Sequence, residues 1–409
     1  MGTSPVDGSG LRLLRVVVGL VAAATCARVI WHGWIDTLWT GTPGRLAYPL
    51  LGWVPMPARP VLIVLVVACG LAGLAAALGV AERLSLAFVT AGMLWLGTLD
   101  AAAYLNHEVL LVALAGLLAL LPAGRTVPPA AVLAVRVVVA SVYLWAAVAK
   151  LDAAWVAGDP LRVWLASRAG IPLIGPLLVR PGTAALLAGA GLAFDATVVP
   201  ALAWRRTRPW ALGAVVAFHL ATAVLFPVGA FPWLMVGAAL GAFPPRLLRW
   251  VPALRYPERA RWPAMSRLAA AGIIGLCALA PLRAVLPGSD PAWDGTGDHL
   301  AWRVMDHDRA GFVRWVVRDR ATGATWDESP DDHLAPHQQR QLASTVSLLP
   351  GAARAVRADW ARQGRDVEVR AQAYLSLDGG RAHLVVDPST DLSRVGWTLG
   401  HPAWAVRGA

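Results

Sequence analysis

The sequence predicts a polytopic α-helical membrane bundle of about nine spans, followed by a C-terminal extracytoplasmic α+β domain that is rich in strands. Two observations predict this fold class. The 409-residue chain is 57% hydrophobic and only 15% charged, with a mean hydropathy of +0.56, which is typical of proteins that cross the bilayer repeatedly. Long apolar runs separated by basic loops fill the chain as far as Leu286, and the composition then becomes polar.

Nine apolar runs are long enough, or nearly long enough, to cross roughly 30 Å of bilayer hydrocarbon. They cover residues 11–31, 60–81, 84–105, 107–123, 128–149, 183–204, 209–226, 229–244 and 267–286. The run at 107–123 is short, and the Pro-containing segment from Phe226 to Phe231 is also consistent with a re-entrant turn. Residues 11–31 resemble a signal peptide, but the run continues to Trp31 without a clean cleavage site, so we expect a retained first span.

The basic loops predict the orientation, because cytoplasmic loops carry excess Lys and Arg. One loop holds Arg205, Arg206 and Arg208, and another holds Arg246, Arg249, Arg255, Arg259, Arg261 and Arg267. With nine spans the N-terminus is then cytoplasmic, and the 105–107 turn, the loop after Lys150 and the C-terminal domain lie outside. The net charge of +11 is thereby explained by topology, and we expect no nucleic-acid partner since base-stacking aromatics do not interleave the arginines.

The polar region after Leu286 is predicted to be a second, soluble domain. Alternating residues predict strands at 312–319, 367–377 and 382–387, and helical patterns cover 336–349 and 352–363. The predicted division is a membrane domain over 1–265, a last transmembrane helix over 266–290 and an extracytoplasmic domain over 291–409.

Lys150 is the single lysine among 36 Lys and Arg residues, and it lies where the run at 128–149 ends. A surface cation in so Arg-rich a chain is expected to be Arg, so the solitary Lys indicates chemistry that a guanidinium does not perform. Burial disfavours the ammonium form, and the neutral amine is a general base or a nucleophile. The alternative is an interfacial lysine that snorkels to the lipid headgroups.

Five further polar residues lie in or beside the predicted spans, where polar groups are costly and often line a cavity. They are Asp100, Asn106 and His107 at the end of the third span, Asp195 in the sixth and His219 in the seventh. Each has a structural alternative, as a helix cap, an interhelical partner or a core histidine. Because they share one side of the membrane with Lys150, we interpret them as one site.

The polar residues lie in motifs that resemble the vitamin K-dependent gamma-glutamyl carboxylase family and its bacterial relatives with an HTTM domain. The similarity covers roughly residues 11–400. It rests on DAAAYLNHEVLLVAL with Asp100, Asn106 and His107, AKLDAAWVAGDP with Lys150, GLAFDATVVPALAW, FHLATAVLFPVGAFPWLMV with His219, the spacing of Trp293, Trp302, Met305, His307 and Arg309, and the GW at Trp397.

The resemblance assigns roles to these residues. It implies that Lys150 takes the first proton from a hydroquinone, that Asn106 hydrogen-bonds a quinone oxygen and that His107 assists carbanion formation and CO2 addition. His219 lines the pocket, with Asp100 and Asp195 as supporting residues. The glutamyl substrate is held by Trp293, Trp302, Met305, His307 and Arg309. Asp152 is near Lys150 in sequence, but two positions along a helix it points to another face.

The resemblance also implies a carboxylase of the lyase type. Oxygenation of a reduced naphthoquinone to its epoxide supplies a base strong enough for the glutamyl γ-carbon, provided that water is excluded. O2 and CO2 are the co-substrates, and no metal is expected. Short members look bacterial and bacteria supply menaquinone, so menaquinol at a bacterial inner membrane is the expected reductant. The expected partners are the bilayer, the quinone and a secreted Glu-containing peptide or protein.

Two alternatives stay open at the level of sequence. Beside the carboxylase, the chain could be a quinol epoxidase or oxygenase that uses its base on another acceptor. The other alternative is a non-catalytic quinone-binding membrane protein in which Lys150 is an interfacial anchor. The chain departs from the animal enzymes of the family, which recognise a propeptide on their substrates and carry a cysteine pair that links parts of the chain. Here Cys26, Cys69 and Cys277 lie inside apolar runs, and we expect no such pair. Because of this departure, recruitment of a substrate by a propeptide is not expected.

Overall fold

The computed structural model describes residues 4–245, 257–258, 260–396, 398 and 400–406. Part of the predicted basic loop lies outside the described residues, namely Arg246, Arg249, Arg255 and Arg259. Trp397 lies outside them as well.

Among the described residues, nine apolar helices correspond to the nine predicted spans, and three short helices interrupt their order. The helices are α1 (Ser9–Trp31), α2 (Arg59–Ala77), α3 (Glu82–Leu99), α4 (Asn106–Leu120), α5 (Pro129–Ala149), the short α6 (Ala153–Ala157), α7 (Asp159–Ala166) and α8 (Gly175–Leu178), then α9 (Thr183–Ala203), α10 (Arg208–Leu225), α11 (Phe231–Ala242) and α12 (Ala264–Leu279). Within the described residues, six are long and apolar enough to cross a membrane, α12 being counted together with its continuation to Val285. The total of nine spans stays a prediction.

Small residues set the closest helix contacts in the bundle. A Cβ atom at Gly19 of α1 would lie 2.4 Å from the carbonyl oxygen of Gly73 in α2, and one at Gly73 would lie 2.6 Å from the oxygen of Gly19. Gly10 of α1 approaches the carbonyl oxygen of Gly241 in α11 to a similar degree. Glycine permits such approaches between backbones in membranes, where packing rather than the hydrophobic effect holds helices together.

The third helix ends earlier than predicted. The Asp100 carboxylate accepts a hydrogen bond from the Ala102 N–H at 2.8 Å, and this local bond ends α3 at Leu99 and starts a 3-10 turn over Ala101–Ala103. Asn106 is the first residue of α4. The prediction that Asn106 and His107 end the third span was therefore wrong, since they begin the fourth helix.

The C-terminal domain is built on a four-stranded antiparallel sheet in the order β4-β3-β5-β6. Its strands are β3 (Arg309–Asp319), β4 (Thr325–Glu328), β5 (Val367–Leu377) and β6 (His383–Leu384), and its helices are α13 (Pro336–Leu342) and α14 (Leu349–Arg362). A separate two-stranded pairing joins β1 (Val6–Asp7) to β2 (Thr126–Val127). The predicted strand–helix composition of the C-terminal domain is confirmed.

Individual elements of this domain differ from the predictions. The strand at 367–377 is confirmed, and the strand at 312–319 begins earlier, at Arg309. The strand at 382–387 was too long, because only His383 and Leu384 pair with β5. The helix at 336–349 is broken after Leu342, since Thr345 is extended and the chain turns before α14. β4 was not predicted.

The start of α4, the segment after α5 and the C-terminal domain meet at one end of the bundle, here called the domain end, through the contacts of Asn106 with Arg303 and of Asp152 with His307. The side chain of Gln338 in α13 donates to Asp100 at 2.7 Å. The indole of Trp302 is buried with the apolar core of the bundle and donates to the Cys277 carbonyl oxygen at 2.8 Å. The C-terminal domain is therefore docked directly on the helices.

Candidate functional site

Lys150 is the residue that ends α5, and its side chain is buried rather than extended to solvent. The Nζ atom lies 2.8 Å from Oδ2 of Asp195 in α9, and the lysine is 7% exposed. The ammonium also lies 5.1 Å from the centre of the Trp155 ring. Nζ also donates to the Ala146 carbonyl oxygen at 3.5 Å. Lys150 is thus held by the Asp195 carboxylate, a backbone carbonyl and an aromatic face, and we call Lys150 with Asp195 the lysine–aspartate pair.

Removing one member of the lysine–aspartate pair is expected to destabilise the protein strongly. Asp195→Leu leaves a buried ammonium without its counter-charge, which typically costs about 3–5 kcal/mol. The thermal unfolding midpoint in detergent, followed by size-exclusion chromatography, measures the effect. Lys150→Met combined with Asp195→Leu replaces both charges by apolar groups and is expected to recover most of that loss. An Asp195→Leu protein as stable as the native chain would contradict a buried ion pair.

His219 lies in an aromatic pocket next to the lysine–aspartate pair. Its Nε2 atom is 2.9 Å from the Tyr143 hydroxyl, and Tyr143 precedes Lys150 by two turns on α5. The ring is surrounded by Phe194, Phe218 and Phe231 at centroid distances between 5.3 and 6.3 Å. Nδ1 of His219 is buried and has no hydrogen-bond partner among the described residues. One polar atom among these aromatic rings thus lacks a partner among the described residues.

Asn106 and His107 begin α4 at the domain end and face different neighbours. The Asn106 amide donates to the Arg303 carbonyl oxygen at 3.3 Å and its Oδ1 accepts from the Tyr104 hydroxyl at 3.0 Å. His107 packs against Gly229, in the turn between α10 and α11. A Cβ atom at Gly229 would lie 2.7 Å from Cε1 of His107, and Gly229 has φ +59°. Only glycine fits that turn without displacing the imidazole.

The segment between α12 and β3 covers the domain end of the bundle and holds most of the predicted substrate residues. Leu300, Trp302 and Met305 all have positive φ, at +48°, +50° and +51°. Non-glycine residues adopt this conformation at a cost, and such strain clusters at functional sites. The Leu300 N–H donates to the Tyr104 hydroxyl at 2.7 Å, which ties the strained segment to the start of α4.

His307 bridges the two parts of the chain through both ring nitrogens. Nε2 is 3.0 Å from Asp152, just after α5, and Nδ1 is 2.8 Å from Asp378, in the turn after β5. Burial disfavours the imidazolium, but the hydrogen bonds to Asp152 and Asp378 outweigh it and raise the pKa of His307 to about 9. The hydrogen bond from His307 lowers the pKa of Asp152 to about 2. We call these three residues the histidine clamp.

Two family matches account for most of the chain. The family described as HTTM domain matches residues 3–245, and the family described as vitamin K-dependent gamma-carboxylase, lumenal domain, matches residues 266–407. The chain belongs to the HTTM family and is a gamma-carboxylase relative. Searches of curated proteins and of solved structures found no match. The predicted family is confirmed, and the chain is a carboxylase-like membrane protein.

In this gamma-carboxylase relative, the predicted residues form two groups rather than one. Within the bundle, Tyr143 is bonded to His219 and lies two turns before Lys150 on α5, and Phe194 beside His219 directly precedes Asp195 on α9. Asn106, with Tyr104, instead contacts the strained segment. Asp100 lies apart from both groups, because its carboxylate is occupied by Gln338, the Leu46 N–H at 3.3 Å and the Ala102 N–H. It joins the C-terminal domain to the bundle.

Several of the predicted substrate-binding groups in this relative already have partners within the chain. Arg309 bonds Asp298 at 2.6 Å and the Pro291 carbonyl oxygen at 3.0 Å. Trp302 donates to the bundle, and both nitrogens of His307 are occupied by carboxylates. Trp293 packs edge-on against His383 at 5.5 Å. These contacts order the segment between α12 and β3 around Met305.

Four residues of the site were missed by sequence reasoning: Tyr143, Asp378, Gly229 and, as a member of the histidine clamp, Asp152. Tyr143 carried a usable signal, since it is seven residues before Lys150 and seven residues return to the same helix face. Gly229 lies between Pro227 and Pro232. The sequence predicted a turn there, but not the contact of Gly229 with His107. Asp378 pairs across 71 residues of chain, and no local pattern gives such a contact.

Proposed function

We propose that the chain couples oxygenation of a reduced naphthoquinone, menaquinol or vitamin K hydroquinone, to proton abstraction and CO2 addition at a glutamyl side chain. The observation that carries this proposal is the buried lysine–aspartate pair beside the aromatic pocket of His219. A single ionisable amine in apolar surroundings, enclosed beneath a gamma-carboxylase lumenal domain, is what a quinol-deprotonating base requires.

Lys150 acts as the base in this proposal, with Asp195 as its proton partner. The 2.8 Å bond between them allows the carboxylate to accept the ammonium proton and leave a neutral amine. The pair carries no net charge in either form, so the proton moves within it without placing an uncompensated charge in the apolar bundle. The neutral amine then takes the hydroxyl proton of the quinol, and Asp195 retains the first proton.

The residues around the pair fit an aromatic substrate that carries oxygen atoms. Phe194, Phe218 and Phe231 supply flat apolar surface, and the unpartnered Nδ1 of His219 supplies one hydrogen-bonding atom. His107 is proposed to meet the substrate at the carbon that loses its proton, with Asn106 on a quinone oxygen. When bound together with O2, the reduced naphthoquinone supplies the strong base by its conversion to the epoxide.

Gly229→Ala is expected to lower turnover by roughly 10- to 100-fold, because displacing a catalytic group by about 1 Å has effects of that size. The added Cβ would lie 2.7 Å from His107 and push the ring aside. Gly79→Ala is the matched control, since Gly79 has φ +72° but nothing within 4 Å of its added Cβ. The Gly79→Ala variant therefore has similar backbone strain, but its added Cβ does not clash with a neighbouring side chain. Equal losses in both variants would show that strain alone is responsible.

The remaining assignments follow from the same proposal. The domain end is proposed to face outward from a bacterial inner membrane, with a cytoplasmic N-terminus and with domains over 1–265, 266–290 and 291–409. The acceptor is proposed to be a Glu-containing secreted peptide or protein, held against Trp293, Trp302, Met305, His307 and Arg309. Since His307 and Arg309 are already bonded to carboxylates, they shape that surface rather than offer unpaired charge.

One observation favours a second candidate function. Arg309, His307 and the Trp302 indole each have partners within the chain, so these three groups do not present a vacant donor to a glutamate carboxylate. A quinol epoxidase with another acceptor needs the lysine–aspartate pair and the aromatic pocket but no such donor. This candidate keeps the oxygenation of the quinol to its epoxide, which generates the strong base, but not the carboxylation of a glutamyl side chain.

The test is aerobic turnover of reduced menaquinone by the purified full-length chain in lipid nanodiscs, with mass spectrometry for the 2,3-epoxide. A second assay supplies labelled bicarbonate and a Glu-rich peptide. Epoxide together with labelled peptide supports the carboxylase, and epoxide without label supports the epoxidase. Absence of epoxide under both conditions would refute both candidates.

A further inference from the structure

A second cavity lies at the domain end, away from the lysine–aspartate pair. Its volume is about 690 Å³, which is within the range of sites for small ligands. The walls are apolar side chains of three bundle helices, among them Cys26 and Val29 of α1, Val66 of α2 and Leu96 of α3. Lys150, Asn106, His107 and His219 are not among the residues that line it.

Two polar side chains that line this cavity have no partner among the described residues. Trp39 is 6% exposed, and its indole Nε1 is buried without a hydrogen bond. Both ring nitrogens of His337, in α13, are buried without a hydrogen bond as well. An indole only donates, whereas a neutral imidazole donates from one nitrogen and accepts at the other. Buried groups of this kind are normally satisfied, and a ligand in the cavity would satisfy them.

The ionisable groups at the polar side of the cavity are of both signs. Glu108 and Arg340 both line it, and Asp36 is paired with Arg59 at 2.7 Å. Burial, reinforced by Arg340, lowers the pKa of His337 and so favours its neutral imidazole. The site therefore offers hydrogen bonds without a cluster of like charges for an ionic headgroup.

We propose that this cavity binds a neutral amphiphile, with a hydroxyl or carbonyl head between Trp39 and His337 and a hydrocarbon chain along α1, α2 and α3. A hydroxyl group accepts from the Trp39 indole and exchanges a hydrogen bond with His337, and a carbonyl accepts from either. Membrane diacylglycerol and a prenylated quinone both have this chemistry. The inference does not depend on the proposed reaction at Lys150.

Equilibrium binding of two probes to the full-length chain in detergent tests the proposal. The probes are tritiated dioleoylglycerol and tritiated menaquinone-4. Gly97 lines the cavity, and a Cβ there meets nothing within 4 Å, so Gly97→Leu fills space and is expected to lower affinity by more than tenfold. Trp39→Phe removes the donor but keeps an aromatic ring, and a loss of about fivefold is expected for one hydrogen bond.

Matched variants separate the cavity from general effects. Gly189→Leu makes the same change in α9, also with nothing within 4 Å, and Trp315→Phe removes another buried, unpartnered indole nitrogen; both are expected to bind normally. The probe whose affinity falls in Gly97→Leu identifies the source of the ligand. If neither probe binds, or if menaquinone-4 affinity falls in Lys150→Ala but not in Gly97→Leu, the proposal is overturned.

Discussion

Lys150→Arg is expected to abolish quinol epoxidation although it keeps the positive charge, and Lys150→Ala is expected to do the same. A guanidinium retains its proton throughout the accessible pH range, so it cannot act as the base that a neutral amine provides. Loss of a positioned general base typically lowers the rate by about 10²- to 10⁴-fold. The measurement is the epoxide formed per minute at saturating O2, with the purified variants in nanodiscs.

Chemical rescue distinguishes a lost base from a misfolded bundle. Lys150→Ala leaves room beside Asp195 for a small primary amine, so methylamine is expected to restore part of the activity in proportion to its concentration. Methylamine should not restore Lys150→Arg, because the guanidinium occupies the same space. Full activity of Lys150→Arg would exclude general-base chemistry at this position and would favour an interfacial role for the lysine.

The bundle was predictable because its elements are encoded locally. Each apolar run is long enough to identify a helix without knowledge of its neighbours, and Lys150 attracts notice by composition alone. Asp195 and His219 were also recognisable in the sequence as candidates, since polar residues inside apolar helices are rare. Their grouping near Lys150 follows from helix direction, which the alternation of spans gives.

The partners of these residues were not predictable, because they depend on contacts between distant segments. The sequence offered Asp152 as a neighbour of Lys150, but Asp152 starts α6 and faces His307. Asp195, 45 positions from Lys150, is the actual partner. The partner of Asp100 was equally unpredictable, since Gln338 lies 238 positions away in the sequence. Side-chain direction at the ends of helices is set by the fold around them.

Docking of the C-terminal domain is expected to weaken as the pH rises from 6.5 to about 9, because the histidine clamp loses its positive charge. The pKa of His307 is raised from 6.5 to about 9, so its contribution is complete below pH 6.5 and is lost as the pH rises through 9. A shift of this size corresponds to about 3 kcal/mol by linkage. The pKa of Asp152 is lowered from 3.8 to about 2, so its contribution is lost only as the pH falls through 2.

Asp378→Asn separates the clamp from other effects of pH. It removes one of the two carboxylates that hold the proton on His307, so the alkaline loss of stability should be smaller and be complete at a lower pH. His307→Gln should abolish the pH dependence between 6.5 and 9. Hydrogen exchange of α6 amides, compared between variants at the same pH, reports the docking directly.

His333→Gln is the control for this measurement. His333 bridges Glu328 and Asp359 inside the C-terminal domain, so its substitution should leave the exchange of α6 unchanged. If the α6 amides of Asp378→Asn remained as protected as those of the native chain at pH 8, the clamp would not hold the domain. The contacts of Trp302 with α12 and of Gln338 with Asp100 would then hold it instead.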